Sequence, residues 1–249
     1  MLITFFTHGW AVTPERLAVA AAVTLAFAVL ARVLRGVNRS GAVTGGLACF
    51  ALFAGGGPGA FATLATLFVM TWLSTRLGYR RKLELGVAER REGRNAGQVL
   101  ANLAVAAAGA SVFGVTGNRA WMVFAIAALA EAATDTVASE IGQWRRRDAR
   151  MITTWQRVPA GTDGGITISG TLAGLIGGIV IAAVATASGT LARGEMWIPV
   201  ATGFAGMLVD SLLGATVQRR GWLSNQAVNF VSTLAAAALA HGILMVQRF

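Results

Sequence analysis

Eight apolar stretches dominate the chain, at about residues 17–34, 42–56, 59–73, 97–115, 120–141, 166–191, 196–216 and 227–245. Crossing a hydrocarbon core of about 30 Å takes roughly 20 apolar residues of helix, and most of these stretches approach that length. Asp, Glu, Lys and Arg supply only 13% of the 249 residues, about half of what a soluble domain uses to cover itself. Too little polar surface remains for a large soluble helical domain. The 31 glycines and the many alanines let helix backbones approach closely in lipid, where apolar burial alone does not drive association. The sequence therefore predicts an all-α, polytopic transmembrane helical bundle of 7–8 spans, a single domain over 1–249 with its motif-bearing core at about 95–230. The short second stretch is expected to tilt, to be re-entrant, or to pair with the third as a hairpin across Gly55-Gly56-Gly57-Pro58.

The basic residues set an orientation. With the N-terminus outside, the loops after the first, third, fifth and seventh stretches hold 17 of the 21 Lys and Arg residues. These are Arg32, Arg35 and Arg39, then Arg76 to Arg94, then Arg145, Arg146, Arg147, Arg150 and Arg157, then Arg219 and Arg220. Only Arg16, Arg119, Arg193 and Arg248 fall on the other side. Such a bias marks the cytoplasmic face. It also accounts for the net charge of +10 through lipid headgroups, without a nucleic-acid partner. The first stretch is followed, not preceded, by basic residues and so does not read as a signal peptide. Cys49 stands alone, and His8 and His241 lie near opposite chain ends. Neither a disulfide nor a His/Cys zinc site follows from such an arrangement.

An acid in a membrane helix costs about 2.5–3.5 kcal/mol on insertion scales, so each needs a reason. Glu131, Asp135 and Ser139 are spaced one turn apart on one helix face, with Glu140 offset. Asp210-Ser211 lies in the seventh stretch, Gly161-Thr162-Asp163-Gly164-Gly165 precedes the sixth, and Asn95, Gln98 and Asn102 open the fourth. Asn225 and Asn229 open the eighth. The orientation puts all of these clusters in one cytoplasmic layer. Carboxylates beside Asn, Ser and Thr oxygens suit Mg²⁺, which takes phosphate oxygens as further ligands. The glycines before the sixth stretch, with Gly170, could turn backbone amides towards an anion at a helix N-terminus. Neighbouring arginines would supply phosphate-binding charge. No Walker A pattern or kinase Gly-rich loop occurs. The residues therefore point to a Mg²⁺-dependent site for a phosphorylated or nucleotide substrate.

The stretches Asn95-Ala-Gly-Gln98-Val-Leu-Ala-Asn102, Asp135-Thr-Val-Ala-Ser-Glu140-Ile-Gly142, Gly161-Thr-Asp-Gly-Gly165-Ile-Thr-Ile-Ser169-Gly-Thr171, Asp210-Ser-Leu-Leu-Gly214 and Asn225-Gln-Ala-Val-Asn229 resemble the phytyl-phosphate kinase family of integral membrane proteins. The likeness covers most of the chain after Asn38; a weaker one is to membrane cytidylyltransferases and polyprenol kinases. It implies a kinase that converts phytyl or a related prenyl monophosphate to its diphosphate with CTP or another NTP, in a bacterial-type inner membrane with its site facing the cytoplasm. It further implies Asp135, Glu140, Asp163 and Asp210 at metal and triphosphate. Asn95, Gln98, Asn102, Ser139, Thr162, Gly164, Gly165, Ser169, Thr171, Ser211, Asn225 and Asn229 would line the nucleotide or acceptor site. Two positions depart from the family pattern: Glu131 replaces a small residue and is set apart from the core site, and Val137 replaces an aromatic. The expected partners are NTP, an isoprenoid monophosphate and membrane lipid, with a homodimer possible. A lipid-phosphate cytidylyltransferase is the alternative enzyme. An ion-coupled transporter, with Asp135 and Asp210 as ion ligands, is the alternative of another class; its acids would belong near the midplane.

Overall fold

The computed structural model describes residues 13–145 and 149–247; His8, Arg146, Arg147 and Arg248 lie outside them. The main helices are α1 (Pro14–Val33), α2 (Arg39–Arg76), α4 (Ala96–Thr116), α5 (Arg119–Arg145), α6 (Ile168–Ala187), α7 (Trp197–Leu213) and α8 (Asn225–Val246), with a short α3 (Tyr79–Glu84). Among the described residues, 7 helices are long and apolar enough to cross a membrane.

One of them turns back on itself. Within α2, Gly57 takes φ 74° and ψ −168°, a left-handed value that glycine tolerates, and Pro58 next to it has no amide to continue the ladder. The arms 39–56 and 58–76 fold back on each other. A Cβ on Gly41, in the first arm, would come 2.2 Å from the Arg94 carbonyl at the start of α4. Trp72, in the second arm, donates to Leu34 O (3.0 Å) at the same level. Between the arms, a Cβ on Gly55 would meet Ala110 O at 2.0 Å, and one on Gly59 would meet Thr190 Oγ1 at 2.1 Å, both at the opposite end of the bundle. Each arm is roughly 27 Å long at 1.5 Å per residue. The described residues thus supply eight roughly membrane-length helical segments from seven helices, and the second and third stretches form the hairpin that their spacing allowed.

Helix α5 is the axis. Residues Val123 and Ala125 to Ala133 are all essentially inaccessible, and α2, α4, α6, α7 and α8 pack around it. Contact with α6 is backbone to backbone along a glycine row. Added Cβ atoms on Gly170 and Gly174 would lie 2.4 Å and 2.5 Å from Ala138 O and Thr134 O, and one on Gly178 would lie 2.6 Å from Thr134 Oγ1. This is the small-residue packing that lipid-embedded helices need.

The sixth stretch begins later than its hydropathy suggested. Residues 149–167 first form a cap, in which β1 (Arg150–Met151) pairs antiparallel with β2 (Gly165–Ile166), Met151 opposite Gly165. Beyond α7 comes a π-helical turn, Gly214–Gln218, a feature that recurs at functional sites. The cap and this turn touch: a Cβ on Gly164 (φ +75°) would sit 2.4 Å from the Ala215 backbone nitrogen. All the described arginines assigned to the basic loops belong to this end of the bundle. Arg119 lies at the other end and pairs with Glu195 (3.1 Å).

Candidate functional site: a carboxylate pocket at the basic end

A polar cavity of about 300 Å³ lies at this end, enclosed by α4, α5, the first turn of α6, the end of α7 with the π-helical turn, the start of α8, the 149–167 cap and the segment 87–94. Fourteen of the 16 residues expected at the site line it; Asn95 and Ser169 do not. Helix α5 contributes Asp135, Ser139 and Glu140, α7 contributes Asp210 and Ser211, and α8 contributes Asn225 and Asn229. From the cap come Thr162, Asp163, Gly164 and Gly165, and Thr171 follows in the first turn of α6.

Asp210 is held in place. Its Oδ2 accepts from Ser232 Oγ (3.3 Å). The Asn229 amide, oriented with its nitrogen inward, donates to the same oxygen (3.2 Å) and to Asn225 O (2.9 Å). Asp210 lies within electrostatic reach of Asp135 and Asp163, and Asp135 within reach of Arg94. Among the described residues Asp135 makes no hydrogen bond, although it faces the cavity. Two acids from neighbouring helices thus share one polar space, with the exposed Asp163 at its mouth.

Several expected ligands have other duties. Glu140 lines the wall, but both its oxygens are engaged: Oε1 accepts from Thr75 Oγ1 (3.0 Å) and Oε2 pairs with Lys82. Lys82 is fully buried and also donates to Ser74 O (2.8 Å) and Thr75 O (3.1 Å). Glu140 therefore anchors α3 to α5 and is not a free metal ligand. Asn95 caps α4: its Oδ1 accepts from Gln98 N (3.1 Å) while Gln98 Oε1 accepts from Asn95 N (2.9 Å), a reciprocal capping box. Gln98 still reaches the cavity and gives its amide to Glu89 Oε2 (2.8 Å).

The glycine cradle is also otherwise employed. Gly165 N closes a turn on Thr162 O (2.8 Å). Gly170 N is capped by Thr167 Oγ1 (3.0 Å), and Gly161 and Gly164 are required by positive φ and close packing against Val87 and Ala215. These glycines position the Asp163 loop; the amides of Gly165 and Gly170 are not open to an anion.

Glu131 lies one turn deeper than Asp135. It is 1% exposed, its Oε1 has no hydrogen-bond partner among the described residues, and it does not line the cavity. Asp135 and Asp210 are within electrostatic reach of it.

The sequence reading missed Arg94, Glu89, Thr136 and Ser232. Arg94 was counted only as topology. Lys82, the chain's single lysine, is the one whose rarity could have drawn attention.

Among the described residues no three of Asp, Glu, His and Cys form a metal cage. Mg²⁺ does not need one: it is usually held by one or two carboxylates, with waters and substrate phosphate completing the octahedron. Asp135 and Asp210, among amide and hydroxyl oxygens, fit that requirement; Glu140 does not contribute.

Comparison with known proteins gives a consistent class. Residues 22–237 match the family described as integral membrane protein DUF92. An uncharacterised membrane protein of Synechocystis is 32% identical over 190 residues, covering 74% of this chain and 73% of its own. One from Methanocaldococcus jannaschii is 35% identical over 188 residues, covering 73% and 74%. The chloroplastic protein VTE6 of Arabidopsis thaliana is 30% identical over 204 residues, covering 77% of this chain and 60% of VTE6. No solved structure matches.

Proposed function

The chain belongs to the DUF92 family of integral membrane proteins, and from that premise we propose that it is a Mg²⁺-dependent kinase of an isoprenoid monophosphate. CTP or another nucleoside triphosphate is the donor, and the pocket faces the cytoplasm. The observation that carries the reading is the pair Asp135 and Asp210, brought from two helices to one polar cavity with, among the described residues, no cationic side chain bonded to either. Carboxylates in that setting suit a divalent cation and a polyphosphate. The motif resemblance to phytyl-phosphate kinases and the similarity to a chloroplastic relative support the choice of acceptor.

In this reading Asp135 and Asp210 would hold the cation, which when bound would supply charge neutralisation for the triphosphate. Asn229 and Ser232 fix the carboxylate of Asp210. Arg94, beside Asp135, faces the phosphates. An oxygen of the lipid monophosphate attacks the γ-phosphorus, the bond between that phosphorus and the β–γ bridging oxygen breaks, and the nucleoside diphosphate leaves. The attacking phosphate is already anionic, so no strong general base is required. Positioning and charge neutralisation carry the acceleration.

The test is direct. Purified protein in lipid nanodiscs, given Mg²⁺, CTP and phytyl or geranylgeranyl monophosphate, should release CDP and lipid diphosphate. Release of pyrophosphate with a CMP-lipid product would identify a cytidylyltransferase instead. Unchanged turnover in EDTA, or no turnover with any nucleotide and prenyl phosphate, would remove the kinase reading.

A further inference from the structure

A second and larger cavity, of about 520 Å³, lies beside the carboxylate pocket and shares Glu89, Arg94, Gln98, Asn102 and Thr136 with it. Its two ends differ in chemistry. One is apolar, walled by Phe27, Ala31, Leu64, Leu67, Phe68 and Leu103. The other is ringed by Arg35, Arg76, Arg90, Arg91 and Arg94. Of these, only Arg94 faces a carboxylate, Glu89 at 4.0 Å; the other four make no ion pair among the described residues. Arg76 stacks on Trp72 (4.0 Å), which holds one guanidinium at the rim without neutralising it.

The shape is as specific as the charge. From Leu64 to Arg76 the second arm of α2 rises about 18 Å, close to the ~15 Å that one lipid tail spans in a leaflet. The apolar part is bounded by α1, both arms of α2, α4 and Ala132 of α5. Helix α1 packs substantially against α2 alone, so it is the wall with the least to lose by moving.

Arg94, at the junction, is pinned. Its amide donates to Gly36 O (3.1 Å) and its carbonyl accepts from Asn38 N (3.0 Å). A Cβ on the adjacent Gly93 would come 2.6 Å from the Gly36–Val37 backbone.

We infer that this cavity binds a lipid carrying a single hydrocarbon tail and a phosphate monoester. The tail lies between α1 and the α2 hairpin, and the phosphate sits among the arginines, presented to the carboxylate pocket past Arg94. This rests on the kinase reading for the purpose of the site, but the binding itself is independent of turnover. Gly45 lines the path of the tail: a Cβ there would find only Val99 Cγ1, at 3.7 Å, so a larger side chain enters the cavity without disturbing the backbone.

Binding to full-length protein in nanodiscs, without nucleotide, tests the site. The probes are hexadecyl phosphate, decyl phosphate, hexadecanol and dihexadecanoyl phosphatidate. Hexadecyl phosphate should bind best. Arg94→Gln should weaken both alkyl phosphates about tenfold, the scale of a lost charge-assisted hydrogen bond. Gly45→Leu should weaken both alkyl phosphates roughly tenfold, by displacing a few buried methylenes from the path of the tail. A hexadecyl phosphate with a terminal diazirine should label α1 and α2. Equal binding of hexadecanol or of the two-tailed phosphatidate, no effect of Gly45→Leu, or labelling confined to other helices would overturn the inference. If the lipid binds as described yet no nucleotide phosphorylates it, the kinase reading falls and the site stands. If turnover requires Asp135 while Gly45→Leu changes no affinity, the reverse holds.

Discussion

Asp135 and Glu140 stand five residues apart on the same helix, yet their surroundings are opposite. Glu140 is closed off by Lys82 and Thr75, and Lys82 is completed by two carbonyls of α2. Every strong valence in that corner has a partner, the condition under which a buried ion pair can offset its desolvation. Asp135 has no hydrogen bond among the described residues and opens onto a cavity where Asp210 also points. An acid at membrane depth is tolerated when it is completed from within the protein or when it awaits a ligand. The comparison separates an architectural carboxylate from a ligand-seeking one, although both carry the same charge at similar positions in the chain.

The largest effect belongs to the open pair. Asp135→Asn and Asp210→Asn should each lower kcat by at least about a hundredfold, the scale of removing one strong electrostatic contact to a transition state. Thermal unfolding in detergent should barely change, and excess EDTA should silence the wild type to the same degree. Retained turnover in both variants would make the two carboxylates structural and dissolve the contrast. Next comes the closed pair. Glu140→Gln or Lys82→Met leaves one buried charge uncompensated and should destabilise by about 3–5 kcal/mol. The double variant should recover much of that loss. Turnover per folded molecule should remain near the wild type in whichever variant folds; a loss as deep as that of Asp135→Asn, in a stable protein, would return Glu140 to the catalytic set.

Much of this was legible from residues alone. The apolar stretches followed from hydropathy, and the Gly55-Gly56-Gly57-Pro58 run allowed a hairpin beside a tilted or re-entrant segment, because glycine and proline together break a helix. Asp135, Asp210, Asn225 and Asn229 were visible as polar residues where lipid forbids them. What the sequence could not show was which polar residue already has a partner. Glu140 looks like Asp135 until Lys82 folds back from α3. Asn95 sits in a motif beside the site yet caps a helix, and the amides of Gly165 and Gly170 are taken by Thr162 and Thr167. The second cavity was invisible for a related reason: it is made by residues unremarkable singly, from α1, α2 and α4, whose meeting depends on how the hairpin packs.

A smaller effect probes the cap that carries Asp163. Gly164 has φ +75° and no room for a Cβ against Ala215, so Gly164→Ala should strain the loop by about 1–3 kcal/mol. The Asp163 loop would shift relative to Asp210 and the π-helical turn. Steady-state kinetics should then show a higher KM for the nucleotide with a smaller change in kcat; an unchanged KM would mean that the loop does not contact the nucleotide.

The smallest expected effect is at Asn95, and it bears on the same distinction between completed and open groups. Its side chain accepts from Gln98 N and does not reach the cavity. Asn95→Ala should therefore cost about 1 kcal/mol of stability through the lost cap. Asn95→Ser keeps an acceptor for the Gln98 amide and should recover most of it. The Gln98 side chain keeps its own bonds, to the backbone amide of residue 95 and to Glu89, so KM should change little. Turnover at saturation should stay within about twofold of the wild type, as for substitutions outside a site. A drop in kcat that Asn95→Ser fails to rescue would place the Asn95 amide on a substrate, and the line between architecture and chemistry drawn at Glu140 would have to be redrawn at the start of α4.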